Sequence, residues 1–576
     1  MNGGARIAKV LHDRGVREIF TLCGGHISPI LVEAKKAGIR ITDVRDEATA
    51  VFAADALARL TGIPGVAAVT AGPGLTNTIT AVKNAQLAQS PVLILGGATA
   101  TALKNRGALQ DIEQMPLMEP HVKHARAVRR LKDLAPAVTD ALKAAEAGVP
   151  GPAFVECPVD LLYDEKTVRG WYADSTPRGW NPGALAIRAY MKLHLRKVFG
   201  GTHEMPGPPE PIVPSAPRPE DIQKIAERIA KAEKPVMVVG SQALVRAEQV
   251  ELVKNAIERL GIPVFLSGMA RGLLGARHEL LFRHKRRDAI KAADLVVLAG
   301  VPCDFRLDYG KQIRRKARLV SFNLSKEDLK LNRKPDDGLV ADPGACLVAL
   351  AAHLEENDSD RSAWLAELRE RDDAREADID RQASTSGEQG VNPLSLFRKL
   401  DDVIGDDSVL VADGGDFVAT ASYTVKPRGP LRWLDPGAFG TLGVGGGFAL
   451  GAMRARPTSQ VWIIYGDGAL GYSLIEFDTF ARHSLAPIAI VGNDASWAQI
   501  AREQVKLLGD DTAVTLARTD YHAAAEGLGG KGLVIKTDDE IENVLEEAKR
   551  LAGDGHPVLV NVHLAKTDFR EGSLSI

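Results

Sequence analysis

The chain has 576 residues, 45% apolar and 25% charged, with a formal net charge of −2. That length exceeds a single hydrophobic core and calls for three or four domains, and the near-neutral balance gives no basis for a nucleic-acid partner. Four scattered cysteines, Cys23, Cys157, Cys303 and Cys346, form no Cys-x-x-Cys pair, so neither a zinc site nor a disulfide framework is indicated and a reducing cytoplasm fits. The start, Met1 to Arg6, opens straight into an amphipathic pattern without an apolar h-region, and no run of about 18 apolar residues occurs. The expectation is a cytoplasmic protein with no transmembrane segment.

Residues 1–165 alternate helix and strand. Gly38 to Val44 reads as a strand and Asp46 to Leu60 as an Ala-rich helix. Gly65 to Thr70 is a strand ending in the loop Ala71-Gly72-Pro73-Gly74; a helix from Leu75 to Ala88 and a buried strand from Pro91 to Leu95 follow. Short continuous apolar strands separated by helices imply a parallel sheet covered on both faces. Residues 166–217 break the pattern, with dense Pro and Gly as in Pro206-Gly207-Pro208-Pro209, and read as a linker. Within it, Ile187 to Phe199 is a basic amphipathic stretch: either a surface-seeking or partner-binding helix, or a helix packed on its own protein.

A second α/β section spans 218–355, with buried strands at Pro235 to Gly240 and Asp294 to Gly300. The charged stretch Leu354 to Gln389 reads as helix plus a solvated connection. The third section, 392–576, begins with a helix and the strand Ser408 to Ala412, followed by Asp413-Gly414-Gly415-Asp416. The fold class expected is α/β, with three doubly wound parallel-sheet domains.

The third section carries the most chemistry. Asp467 lies in Tyr465-Gly466-Asp467-Gly468 after the apolar run Val461 to Ile464, and Asp494 lies in Gly492-Asn493-Asp494 after Pro487 to Val491. With a helix from Leu470 to His483 between them, both aspartates fall at the carboxyl ends of parallel strands, where open α/β sheets bind ligands. Two carboxylates beside glycines suit a hard cation holding a diphosphate. A lone Gly-Asp-Gly would read as a turn. Gly414-Gly415 follows a strand, which favours backbone N–H groups aimed at an anion. Gly440-Thr441-Leu442-Gly443-Val444-Gly445 is a poor dinucleotide fingerprint, because its glycine spacing is wrong and no strand ends immediately before it. This argues against a nicotinamide- or flavin-dependent oxidoreductase.

Gly466-Asp467-Gly468, 24 intervening residues, then Asn493-Asp494 resembles the motif of thiamine-diphosphate-dependent enzymes. Arg45-Asp46-Glu47 with Val51 to Ala56 resembles that family's glutamate helix, and Thr70 to Asn77 its Gly-Pro-Gly-x-x-Asn loop. Further stretches are similar to the acetolactate-synthase-like branch and, within it, to the 2-hydroxyacyl-CoA lyase type: Gly24 to Pro29, Arg106 to Gln110, Gly268 to Gly275, Asp413 to Thr420, Arg432 to Gly440, Tyr472 to Thr479 and the tail Thr567 to Arg570.

The resemblance implies a pyrimidine-binding domain at 1–165, a middle nucleotide-type domain at 218–355 and a diphosphate-binding domain with a C-terminal tail at 392–576. It implies thiamine diphosphate and Mg²⁺ as cofactors. Asp467, Asp494 and the Ser496 carbonyl are the expected metal ligands; Asp494 stands where the motif usually has Asn, which keeps an oxygen ligand and adds a charge. Glu47 would face the aminopyrimidine ring nitrogen as an acid–base group, where a plain helix-start acid is the competing reading. Pro73, Asn77, Gly415, Asp416, Gly440, Gly466, Gly468 and Ala469 would contact the cofactor, and Leu442 would wedge it into a bent form. His26 and Gln110 match positions near the reactive end, and Trp497 and Gln499 the pocket wall.

The two halves of such a site meet across two chains in this family, so a homodimer or homotetramer is expected. The activity implied is that of a 2-hydroxyacyl-CoA lyase, releasing formyl-CoA and an aldehyde, or running the reverse condensation. The alternative is an acetolactate synthase joining two 2-keto acids with structural FAD. A catalytically dead nucleotide-binding or scaffold protein is disfavoured by Glu47, Asp467 and Asp494 together. CoA would need cations, for which Arg271, Arg283 and Arg570 are candidates, and Gly240-Ser241-Gln242 marks a middle-domain site for ADP, CoA or FAD.

Overall fold

A computed structural model describes residues 1–202, 204–207, 215–353, 360–385, 390–567 and 569–570. Pro208, Pro209 and Asp568 of the stretches singled out above, and the two ends of the 354–389 segment, lie outside the described residues. The chain divides into two compact units, Met1–Arg59 with Ile63–Ile212, and Leu60–Gly62 with Val213–Ile576.

The first unit is built on six strands: β1 (Glu18–Thr21), β2 (Arg40–Asp43), β3 (Gly65–Val69), β4 (Val92–Ala98), β5 (His124–Ala127) and β6 (Ala153–Pro158). They pair in the order β2-β1-β3-β4-β6-β5, with every pair parallel. β3, β4 and β6 are buried along their whole length, which is why their sequences read as continuous apolar runs rather than alternating ones.

Residues 165–199 belong to this unit as two helices, Glu165–Asp174 and Pro182–Phe199. Asn181 caps the second, its side chain accepting the Ala184 N–H, and Pro182 occupies the first turn. Leu195, Val198 and Phe199 join Val168 and Tyr172 in the core beneath the sheet. The Tyr172 hydroxyl donates to the buried Asp160 carboxylate at 2.8 Å, which also accepts from the Thr101 amide. The basic stretch therefore packs one face on its own protein, while Ile187, Tyr190 and Leu193 remain exposed.

The second unit holds two sheets. The middle one comprises β7 (Pro235–Val239), β8 (Val264–Leu266), β9 (Leu295–Ala299), β10 (Arg318–Asn323) and β11 (Asp337–Val340), in the order β11-β10-β9-β7-β8. The last comprises β12 (Val409–Asp413), β13 (Trp433–Leu434), β14 (Val461–Gly466), β15 (Ile488–Asn493), β16 (Lys531–Ile535) and β17 (Val558–His563), in the order β13-β12-β14-β15-β17-β16. All pairs are again parallel. The three doubly wound α/β sheets expected from the sequence are thus present.

The chain runs from β12 outward to β13, then crosses back past β12 to β14, so a reversal point lies between β12 and β14. Helix Ser362–Ala383 joins the two sheets in sequence and carries Glu376. Glu376 meets His284 at 3.0 Å, Arg283 at 3.5 Å, Arg398 at 2.6 Å and Lys426 at 3.9 Å. Burial raises its proton affinity, yet these partners hold the carboxyl well below the usual range.

Two expected helices are each broken. Leu75 to Ala88 divides into Pro73–Thr76 and Ile79–Leu87 at Asn77, whose side chain is engaged elsewhere (below). Leu470 to His483 divides into Asp467–Ser473 and Glu476–Arg482, at the point where Ser473 and Glu476 press on Gly446. Among the described residues no helix is long and apolar enough to cross a membrane.

The anchoring of helix Pro182–Phe199 is testable. Phe199→Ala removes a buried aromatic ring and should destabilise the protein by about 3 kcal/mol, read as a lowered midpoint in chemical denaturation.

Candidate active site

Parallel register sets the geometry of the second unit's site. Gly466 pairs with Gly492 at the ends of β14 and β15, so Asp467 and Asp494 emerge from adjacent strand tips. Asp467 is buried and opens helix Asp467–Ser473; its carboxylate accepts the Gly468 N–H at 2.8 Å and the Ala495 N–H at 2.9 Å. Ala495 sits in the left-handed region, φ +59°, and this unusual conformation turns its amide toward the neighbouring strand's aspartate. Asp494 accepts the Ser496 N–H at 3.0 Å, and the Ser496 hydroxyl donates to the Val514 carbonyl.

Burial pushes the Asp467 carboxyl up to about 6. Burial, then the charge of Asp467, pushes Asp494 up to about 7. Two carboxylates that resist ionising side by side are the electrostatic signature of a cation site, because a divalent ion would relieve both effects at once. Among the described residues no three His, Cys, Asp or Glu side chains converge as a metal cluster. The acidic contribution is this pair, which leaves coordination positions to backbone and ligand oxygens. The residues present therefore fit a hard cation together with a polyphosphate.

Close backbone approach surrounds the pair. Gly414, φ +151°, follows β12, and a Cβ there would lie 2.8 Å from the Gly466 nitrogen. A Cβ on Gly468 would lie 2.4 Å from the Trp497 ring. Ala469 is buried in the helix that Asp467 opens. Gly415 caps helix Asp416–Thr424 and lies against Gln499, while Asp416 forms an ion pair with Arg502. Gly440 closes a turn at Gly437–Phe439, and Leu442 is half-buried just before helix Val444–Ala455.

Asp413 is the residue that motif reading passes over. It ends β12, is fully buried, and accepts the Gly443 N–H at 3.1 Å and the Gly445 N–H at 2.7 Å. Burial pushes its carboxyl up to about 7, against the opposing effect of those two amides. Asp413 thereby fixes the glycine-rich turn carrying Leu442 to the β12 tip. A charged residue closing an otherwise apolar strand is the available sequence signal.

The first unit carries the other expected group. Glu47, 7% exposed, opens helix Glu47–Thr61 and accepts from the Asn77 side-chain amide at 3.0 Å. Pro73 starts the short helix before Asn77, and a Cβ on Gly74 would sit 3.4 Å from the Glu47 carboxylate and 2.7 Å from Thr70. Thr70 also meets His26, whose Nδ1 lies 3.2 Å from its hydroxyl; burial lowers the His26 pKa. Gln110 adopts φ +64° and its backbone backs onto Gly72. Glu47, Asn77, Pro73, His26 and Gln110 thus gather around the loop leaving β3, beside Leu109, which is 84% exposed.

Arg271, Arg283 and Arg570 line one cavity of about 560 Å³ in the second unit. Gly240-Ser241-Gln242 is engaged internally: Gln242 bonds Asn323 and the Leu324 amide, and Ser241 accepts the Met269 N–H.

Three family models match the chain: "Thiamine pyrophosphate enzyme, N-terminal TPP binding domain" over residues 1–117, the central domain of the same enzymes over 222–350, and their C-terminal TPP binding domain over 413–562. The protein named 2-hydroxyacyl-CoA lyase 2 in Bos taurus is 50% identical over 586 residues, covering 100% of this chain and 92% of that protein. Its namesake in Homo sapiens is 49% identical, with coverage of 100% and 92%. A probable acetolactate synthase of Mycobacterium bovis is 32% identical, with coverage of 98% and 95%.

Asp413→Ala would leave two buried amides without an acceptor. The variant should lose about 2 kcal/mol of stability, measured by denaturant titration.

Proposed function

The chain belongs to the thiamine pyrophosphate enzyme family, and on that premise we propose that it is a thiamine-diphosphate-dependent 2-hydroxyacyl-CoA lyase. The observation that carries this reading is the full-length identity of about half to proteins of that name. The reaction cleaves the C1–C2 bond of a 2-hydroxyacyl thioester into an aldehyde and formyl-CoA, or joins the two in reverse.

The carboxylates of Asp467 and Asp494, with the Ser496 carbonyl, would hold Mg²⁺ and the diphosphate. Gly415, Asp416, Gly440, Gly466, Gly468 and Ala469 would form the surrounding wall, and Leu442, on the turn that Asp413 fixes, would press on the cofactor. When bound, thiamine diphosphate would supply the carbanion chemistry that the cleavage needs. Glu47 holds the proton opposite the aminopyrimidine ring nitrogen, with Asn77 orienting its carboxyl and Pro73 shaping the loop. His26 stays neutral near pH 7 because burial lowers its pKa, so it can accept or return a proton beside the substrate oxygen that Gln110 orients. Trp497 and Gln499 line the substrate side.

Glu47 and Asp467 belong to different units of the fold, and we assign their shared cofactor to an interface between two copies of the chain, in a homodimer or homotetramer. The four free cysteines, three of them buried, support a reducing, cytoplasmic setting.

The test supplies purified protein, thiamine diphosphate and Mg²⁺ with either formyl-CoA plus an aldehyde or pyruvate. Turnover of the first pair is expected; turnover of pyruvate alone, with a yellow flavin colour, would instead establish the acetolactate synthase alternative. Glu47→Gln should bind cofactor but lose at least about 100-fold in kcat. Asp467→Ala should abolish the Mg²⁺-linked uptake of thiamine diphosphate seen by calorimetry.

A further inference from the structure

The segment that leaves β4 in the first unit has little apolar material to hold it. Residues 99–113 form turns without helix or strand, and Leu103, Leu109 and Ile112 are exposed. The segment carries Gln110, and Asn105, Gly107 and Gln110 within it all sit in the left-handed region. A stretch of this kind keeps one conformation only where polar contacts tie it down. Two buried acids, Glu156 on β6 and Asp160 just beyond it, supply those contacts.

Asp160 holds the start of the segment, accepting the Thr101 N–H at 3.0 Å and the Thr101 hydroxyl at 2.5 Å. Glu156 lies level with Gly96 of β4 and is 1% exposed. Its carboxylate accepts from Lys104 at 3.1 Å, from Arg129 at 2.8 Å and from the Gln114 side-chain amide at 3.2 Å. Burial raises the proton affinity of Glu156, but the bonds from Arg129, Gln114 and Lys104 outweigh it and hold the carboxyl below its ordinary value.

Gln114 carries the contact onward. It is buried, and both polar atoms of its side chain are engaged. Its amide nitrogen donates to Glu156 and, at 3.0 Å, to the Gly97 carbonyl; its carbonyl accepts the Gly72 N–H at 3.1 Å. With acceptors on one side and a donor on the other, the amide has a single orientation. Gly72 opens the short helix Pro73–Thr76, and Asn77 after it holds Glu47. Gly72 is also backed by Gln110, whose carbonyl would lie 2.9 Å from a Cβ at Gly72. The loop leaving β3 and the segment leaving β4 therefore share one anchor.

That anchor exceeds what the sheet requires. Arg129, just after β5, would by itself neutralise Glu156 and tie neighbouring strand ends together. Lys104 and Gln114 add nothing to that link; they come from within and just after the segment that carries Gln110.

We propose that Glu156 and Gln114 are positioning residues for the reaction. Glu156 sets the segment carrying Gln110 through Lys104, and Gln114 passes the same anchor to the loop whose Asn77 orients Glu47. Both are buried, so they act through those residues rather than on substrate. The proposal rests on the roles given above to Gln110 and Glu47.

Lys104→Met cuts the arm to Gln110 alone, because Arg129 and Gln114 still hold the carboxylate. Lys104 is partly exposed, so the denaturation midpoint should move little. Its kcat/KM should fall at least about tenfold through misplacement of Gln110. Lys104→Arg, which keeps the charge and reach, should recover most of that loss. Amide hydrogen exchange, read without substrate, should quicken across residues 101–113 and stay unchanged across 72–77. Gln114→Met should quicken both stretches, and Glu156→Gln should do the same; if the latter does not fold, the other variants decide. Wild-type kcat/KM and wild-type exchange in Lys104→Met would overturn the arm to Gln110. Faster exchange across 101–113 alone in Gln114→Met would overturn the link to the Glu47 side. A lowered midpoint with exchange quickened over the whole first unit would make the cluster a staple of the fold and overturn the proposal. The expected exchange pattern in a protein that turns over no acyl-CoA would support the anchor and remove the lyase reading instead.

Discussion

Two acidic side chains on neighbouring strand tips repel each other, and the structure around β14 and β15 is arranged to hold them there. The register that pairs Gly466 with Gly492 brings Asp467 and Asp494, one residue out of step, to adjacent strand tips. Three backbone amides, from Gly468, Ala495 and Ser496, are turned inward to solvate them. One of these requires a left-handed alanine, and the glycines at 414 and 468 are needed because neighbouring atoms occupy the space a side chain would take. A cation in the gap, as proposed above, would offset these local costs.

The strand-end acids extend to Asp413. It ends β12 opposite Tyr465, two residues short of the level of Asp467, and uses both carboxylate oxygens to grip the glycine-rich turn. The three aspartates thus do different work from similar positions: two lie where a cation would bind, and one binds only its own backbone. Burial raises all three; the Gly443 and Gly445 amides oppose that rise at Asp413, and the Gly468, Ala495 and Ser496 amides oppose it at Asp467.

Much of this is legible in the sequence because parallel strands buried on both faces must be apolar throughout, so Val461 to Ile464 and Pro487 to Val491 announce themselves and the residues after them fall at a known edge. Glu47 and Asn77 are legible as motif members, though their mutual hydrogen bond is not, since it depends on the helix break at Asn77. Asp413 is obscured because a buried acid at a strand end has no pattern of its own. The basic cavity joins residues that no local window holds together: Arg271 and Arg283 lie 12 positions apart, but Arg570 follows Arg271 by 299 positions. The basic helix Pro182–Phe199 is legible as a helix, but the placement of its Leu195–Phe199 edge depends on tertiary packing.

Glu376 has a mechanical role beyond its charge. One carboxylate gathers Arg283 and His284 from the segment after β8 together with Arg398 and Lys426 flanking β12. Opening either sheet of the second unit strips partners from a half-buried anion whose remaining partners belong to the other sheet, so each is penalised for loosening alone. The two sheets are thereby coupled into one cooperative melting block, and thermal damage to the middle of the chain would be transmitted to the strand tips that carry the aspartates.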